Sequence, residues 1–107
     1  MADPTLVNGK WLVPKDPDDK RWYKFGFAKD LTDSGTTAAS VTAILSGVTL
    51  GTVTDGQPNP RISGTDVLVF LSGLDVTDGA LNFCTARLVC ANGEQIDRTM
   101  WYVREDH

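Results

Sequence analysis

The chain has 107 residues, 41% of them hydrophobic and 22% charged, which is the composition of an ordinary soluble globule with room for a single core. Its formal net charge is −4, and the nearest thing to a basic stripe, Lys20, Arg21 and Lys24, lies beside Asp16, Asp18 and Asp19, which argues against a nucleic-acid binder. No run approaches the ~20 apolar residues of a membrane span, and Met1-Ala2-Asp3-Pro4 lacks the basic and apolar regions of a signal peptide, so neither membrane insertion nor secretion is expected.

Met1 to Asn8 reads as an N-terminal arm: Asp3-Pro4 disfavours regular structure and nothing there is periodic. Residues 9–107 then form the single domain. Asn8-Gly9 can turn, and Lys10 to Val13 reads as a short edge strand stopped by Pro14. Lys15-Asp16-Pro17-Asp18-Asp19 is an acidic turn. Three carboxylates in four positions could meet a cation, but no glycine-bearing loop or later bidentate Glu supplies EF-hand spacing, and a solvated turn is the simpler reading.

Arg21 to Ala28 alternates, with Tyr23, Phe25 and Phe27 on one face and Trp22, Lys24 and Gly26 on the other, which predicts a strand. Thr32 to Gly35 is a loop. Thr36 to Leu45 is β-branched and reads as a strand, although its alanines leave a helix open. Val48 to Thr54 predicts another strand, interrupted by Gly51 as a bulge candidate. Asp55 to Pro60 is the interior loop best suited to contact, and Arg61 to Ser63 adds a short strand. Asp66 to Leu71 carries the apolar run of a central strand.

The last two strands, Leu81 to Cys90 and Glu94 to Val103, predict their own register. A three-residue loop, Ala91-Asn92-Gly93, sets Leu88 against Ile96 and Cys84 against Met100 on one face. On the other face it sets Arg87 against Asp97, Thr85 against Thr99 and Phe83 against Trp101, all favourable cross-strand pairs. A two-residue Asn92-Gly93 turn would oppose Arg87 to Arg98 and Leu88 to Asp97, which is worse on both faces. These elements predict an all-β fold: a small Ig-like antiparallel β-sandwich of about seven strands, with a small barrel as the alternative.

The inventory for chemistry is thin. Cys84 and Cys90 lie about 20 Å apart if they share one strand, too far for a disulfide, and read as packed thiols. The single histidine, His107, is terminal, so neither a Ser-His or Cys-His nucleophile nor a four-ligand zinc site is in view. No phosphate-binding Gly-rich loop precedes a helix, and the acidic residues fall mostly in turns. No enzymatic activity and no cofactor are expected. Binding is easier to support. Trp11, Trp22 and Trp101 are many tryptophans for a small sheet domain, and aromatics on a face opposite the core are favoured interface anchors, although flank packing also accommodates them. The candidate interface residues are Trp11, Leu12, Trp22, Pro58, Asn59 and Trp101.

Three motifs in order carry a family resemblance: Lys15-Asp16-Pro17-Asp18-Asp19 leading into the aromatic strand Arg21 to Phe27; the Val67 to Leu71 strand ending in Ser72-Gly73; and Arg87-Leu88, Gly93, then Asp97-Arg98-Thr99 to Val103. Their order resembles that of the fiber-tail adaptor proteins of tailed bacteriophages, over Lys15 to Val103. The resemblance implies a structural virion protein in the phage tail, present in the host cytoplasm during assembly. Its implied partners are tail proteins, the tail fiber and neighbouring copies of itself in a ring, with no cofactor and no catalytic residue. The N-terminal arm, the Trp11 strand and the Pro58–Pro60 loop depart from the family pattern. A different class of function, an Ig-like module that binds a carbohydrate or a cell surface, would need exposed aromatics flanked by polar side chains in a groove.

Overall fold

Period-two alternation decides which residues of each strand face inward, and the computed structural model, which describes residues 5–7 and 10–104, follows it closely. The elements run β1 (Thr5–Val7), β2 (Lys10–Lys15), β3 (Lys20–Gly26), α1 (Ala28–Ser34), β4 (Ala38–Ser46), β5 (Thr49–Leu50), β6 (Arg61–Ser63), β7 (Asp66–Ser72), β8 (Phe83–Cys90) and β9 (Gln95–Arg104). One sheet has the order β1-β2-β9-β8-β4; the other is built on β7, with β3 along one edge and β5 and β6 sharing the opposite edge. The result is a small all-β sandwich.

The core lies between the two sheets. Tyr23 and Phe25 of β3 and Val67, Val69 and Leu71 of β7 meet Val13, Cys84, Ala86, Leu88, Cys90 and Tyr102 from the five-stranded sheet. Burying each large apolar side chain contributes about 1.5–3 kcal/mol. The Tyr23 and Tyr102 rings meet edge to face across the layers, 5.0 Å between centroids. Both cysteines are free and buried, as expected of packed thiols.

The β8–β9 hairpin has the expected register at every predicted pair, from Leu88–Ile96 through Phe83–Trp101. The Cys90 N–H donates to the Glu94 carbonyl at 2.8 Å and the Gly93 N–H to the Cys90 carbonyl at 2.9 Å. Gly93, at φ 92°, occupies the left-handed position that the three-residue loop demands. Charge, hydroxyl and ring pairs follow from that register. Arg87 binds Asp97 through two hydrogen bonds of 3.0 and 3.1 Å, and the Thr85 and Thr99 hydroxyls lie 2.7 Å apart.

Elsewhere the details differ from expectation. The described residues hold nine strands rather than about seven, partly because residues 5–7, inside the expected arm, pair antiparallel with β2. The expected turn at residues 8–9, the rest of the arm and His107 lie outside the described residues. β2 is not an edge strand. It lies between β1 and β9 and runs parallel to β9, with Leu12 opposite Trp101 and Val13 opposite Tyr102. The chain leaves β2 through the Asp16–Asp19 turn to join the other sheet, so β2 makes no hairpin with β3 and docks on the last strand instead. Pro14 does not stop it: β2 runs on to Lys15, and among the described residues β1 pairs with β2 only as far as Leu12, so no described neighbour on that side asks Pro14 for an N–H.

The stretch expected as a strand end and loop holds helix α1. Leu31 is its one buried residue, so it shows no helical periodicity; Gly35 ends it in a left-handed cap, and Lys29 and Asp33 pair at 2.9 Å on its exposed side. β4 is a strand, as the β-branched content favours, with a register shift between Ala38 and Ser40 that turns Ala38 rather than Ala39 towards the core. β8 begins at Phe83, not Leu81, because Asn82 is drawn into the preceding loop, accepting from the Asp75 N–H and donating to the Asp75 carbonyl.

The Val48–Thr54 strand shortens to Thr49–Leu50. Gly51 is not a simple bulge: the Phe70 ring lies on it, and a Cβ there would sit 2.4 Å from Phe70 Cδ2. Gly51→Ala should therefore lower stability by about 2 kcal/mol through overpacking, read by chemical denaturation. Adding Phe70→Leu should recover part of that loss, whereas strictly additive losses would disprove the ring contact as the cause.

Candidate functional site

The three tryptophans fall on three different surfaces. On the outer face of the five-stranded sheet, the parallel β2–β9 register places Leu12 beside Trp101, and the hairpin register places Phe83 on Trp101's other side. The Trp101 and Phe83 rings are tilted at 55° with centroids 4.9 Å apart. Leu12, Trp101 and Phe83 are half-buried, while Val103 and Ile44 on the same face are 47% and 36% exposed. One apolar row therefore crosses β2, β9 and β8 and meets Ser46 on β4; Ile44, opposite Thr85, lies one diagonal step from Phe83, and the Arg87–Asp97 pair is further along the sheet. Sequence reasoning named Leu12 and Trp101 and missed Phe83, Ile44 and Val103. The Phe83–Trp101 pairing it did predict was the available signal.

Trp22 lies on the opposite side of the molecule, on the outer face of β3. Its ring is 5.1 Å from that of Phe70, and the Arg61 guanidinium sits over it at 4.2 Å. Asp55 holds Arg61 at 2.9 Å, and the Gln57 N–H and Arg61 keep the Asp55 carboxyl below the usual carboxylate range. Trp22 is thus half-covered by its own domain.

Asn59 and Pro58 do not join either surface. Pro58 is exposed, but the Asn59 side chain is built into the sheet. Its Nδ2 donates to the Gly51 carbonyl at 3.1 Å and the Phe70 carbonyl at 2.9 Å, and its Oδ1 accepts from the Phe70 N–H at 2.9 Å. The amide fills the gap between β5 and β6 along the edge of β7. The contact loop expected here carries, at Asn59, a structural splice.

Trp11 is 43% exposed at the mouth of a cleft of about 460 Å³ at the side of the sandwich. Its other walls are Arg98 and Met100 of β9 and Lys24, Phe25 and Gly26 of β3. Arg98 is engaged with Asp30 of α1 and lies 5.9 Å from the centre of the Phe27 ring. Lys24 is exposed, and no carboxylate among the described residues pairs with it.

The acidic turn is organised internally. Asp18 N–H donates to Asp16 Oδ1 at 2.9 Å and Arg21 reaches Asp19 at 3.3 Å. Lys15, only 1% exposed, aims its ammonium at the carbonyls of Asp19 and Asp16, 2.7 and 3.3 Å away. Its own side chain supplies the cation that the turn's carbonyls receive. Burial lowers the Lys15 pKa, against the opposing pull of Asp19 and Asp16. Among the described residues no three His, Cys, Asp or Glu side chains are grouped to hold a metal ion, and no helix is long and apolar enough to cross a membrane. No protein-family model, no curated protein and no solved structure matches the chain.

Proposed function

We propose that this chain is a non-enzymatic structural adaptor that joins protein partners in a multi-copy assembly, the role held by the phage fiber-tail adaptors its motifs resemble. The observation that carries the reading is the apolar band Leu12–Trp101–Phe83, with Ile44 and Val103 exposed beside it. A contiguous apolar patch rimmed by polar residues marks a protein contact more often than a solvated face does, and rings at its centre are the usual anchors. The rigid hairpin beneath it presents that band at a fixed angle, which is what a joint in a symmetric ring requires.

Mass spectrometry of purified phage particles carrying the chain tests the reading. The expected result is a stoichiometric tail component; absence from the particles overturns it. Replacing Ile44 and Val103 together by lysine should change stability by only about 0.5 kcal/mol per site, since both side chains point to solvent, while reducing incorporation into tails. Unchanged incorporation would remove the band from the interface.

A second reading, a carbohydrate-binding module, has the exposed Trp11 ring beside polar Lys24 in its favour. Saturable binding on a glycan array would support it; an adaptor should show none.

A further inference from the structure

The two sheets are unequal in a way that leaves one strand edge, beside an apolar cleft, without a neighbour among the described residues. β2 and β1 extend the larger sheet, whereas β3 ends the smaller one and pairs only with β7 among the described residues. The direction of its free hydrogen-bonding groups follows from the ladder. Phe27 N–H donates to the Thr65 carbonyl at 3.1 Å, in register with the β3–β7 pairs. Antiparallel ladders alternate, so Tyr23 and Phe25 turn their N–H and C=O groups towards β7, and Trp22, Lys24 and Gly26 turn theirs away. Phe70, the partner of Trp22, confirms the phase: its N–H and C=O are used on the far side, by Asn59 and Gly51.

Two of those three outward residues, Lys24 and Gly26, also line the cleft together with Trp11 and Met100. The charges point the same way. Lys20 and Lys24 are exposed along this strand, and neither makes an ion pair with a described residue. Lysine on an edge guards it against indiscriminate pairing and leaves it open to a strand of opposite charge. We infer that β3 accepts an extended, acidic segment of a partner protein as an added strand, with an apolar side chain seated over Trp11 and Met100 and a carboxylate against Lys24. Backbone hydrogen bonds to Trp22, Lys24 and Gly26 would hold the segment, and the cleft and the lysine would select it. The inference deepens the adaptor reading and rests on it only for the kind of protein that supplies the segment.

The test uses the full chain and a capped peptide, Thr-Val-Glu-Val-Glu-Val-Thr, as the probe, followed by NMR and amide hydrogen exchange. Saturable binding is expected, with new protection at the Trp22, Lys24 and Gly26 amides and a shift of the Trp11 indole signal. Lys24→Glu should weaken binding by about tenfold and prefer the same peptide with lysine in place of glutamate. Lys24→Pro removes an N–H that no ladder among the described residues uses, and should abolish binding while circular dichroism shows the fold retained; should that variant fail to fold, the charge swap alone decides. Absence of saturation at millimolar peptide, binding without protection of the three amides, or their protection by a second copy of the chain before peptide is added would each overturn the inference. A chain found in tails that ignores the peptide would sink this site and spare the adaptor reading; a chain absent from tails that binds it would do the reverse.

Discussion

Replacing Asn59 by alanine is expected to lower the free energy of unfolding by about 3 kcal/mol, with a fall in melting temperature on the order of 15 °C. The reason is the position of its amide. β5 and β6 share one edge of β7, and between them Phe70 would lack a partner for its N–H; Asn59 supplies the acceptor, and its Nδ2 bridges to the carbonyls of Gly51 and Phe70. Truncation leaves the Phe70 N–H and the Gly51 carbonyl part-buried and unpaired, each costing about 1–3 kcal/mol. Phe70's own carbonyl keeps the Gly51 N–H at 2.8 Å, which limits the damage. Asn59→Asp separates the parts of the argument. Its carboxylate can still accept from the Phe70 N–H but faces two carbonyl oxygens, so the folded protein should favour the protonated acid and hold that pKa above its unfolded value. The variant's stability should then be greatest below the unfolded pKa and decline as pH rises through the folded one. A thermal unfolding series would decide: a change within about 0.5 kcal/mol for Asn59→Ala, as a mere contact loop would give, refutes the splice.

Asn59 also shows where sequence reading stopped. An Asn between two prolines in a Gly- and Asp-rich stretch looks like turn chemistry, because the pattern carries no trace of the strand edge it mends. What was legible rests on local rules with strong physical content. The β8–β9 register was readable because charge, hydroxyl and ring pairs all agree on one loop length. The inward face of β3 was readable because Tyr23 and Phe25 alternate with Lys24 and Gly26, whereas β7 is apolar at every position from Val67 to Leu71 and could be read as a central strand but not for which face points inward. Helix α1 was missed because seven residues with one apolar anchor show no period, and only Ser34-Gly35 hints at its end. The parallel placement of β2 was missed because nothing in Lys10–Lys15 names a partner nearly ninety residues away along the chain. The candidate surface suffered likewise. Trp101 and Leu12 were named separately, and the tertiary register makes them neighbours; Trp22 was named with them, and the topology puts it on the other sheet.

The largest response predicted for the intact chain is to alkali. Burial pushes the Cys84 thiol from its ordinary 9.0 up to about 12 and the Tyr23 phenol from 10.0 up to about 12, and it raises Tyr102 as well. The Tyr102 hydroxyl is buried and makes no hydrogen bond among the described residues, so nothing there would receive a phenolate. In all three the folded state holds its proton more tightly than the unfolded chain does. Their stabilisation is therefore complete below the unfolded pKa values and is lost as pH rises through them towards the folded ones. Each group removes up to about 1.4 kcal/mol per pH unit inside its window. Lys15 acts in the opposite sense, since its lowered pKa makes the folded protein gain stability as pH rises towards 10.5, but that gain ends there while the phenols and the thiol continue to lose. Cys84 alone can forfeit about 4 kcal/mol by the top of its window, a large share of the ~5–15 kcal/mol that holds a domain together. Circular dichroism should stay flat to about pH 9 and collapse cooperatively between about pH 10 and 12. Absorbance of Tyr23 and Tyr102 as phenolates should rise with that collapse rather than at the ordinary phenol pKa. Cys84→Ala should delay the first loss by about one pH unit, to where the phenols begin to titrate. Phenolate signal from both buried tyrosines near pH 10 with the fold intact would mean that the Tyr23–Tyr102 contact does not close the core.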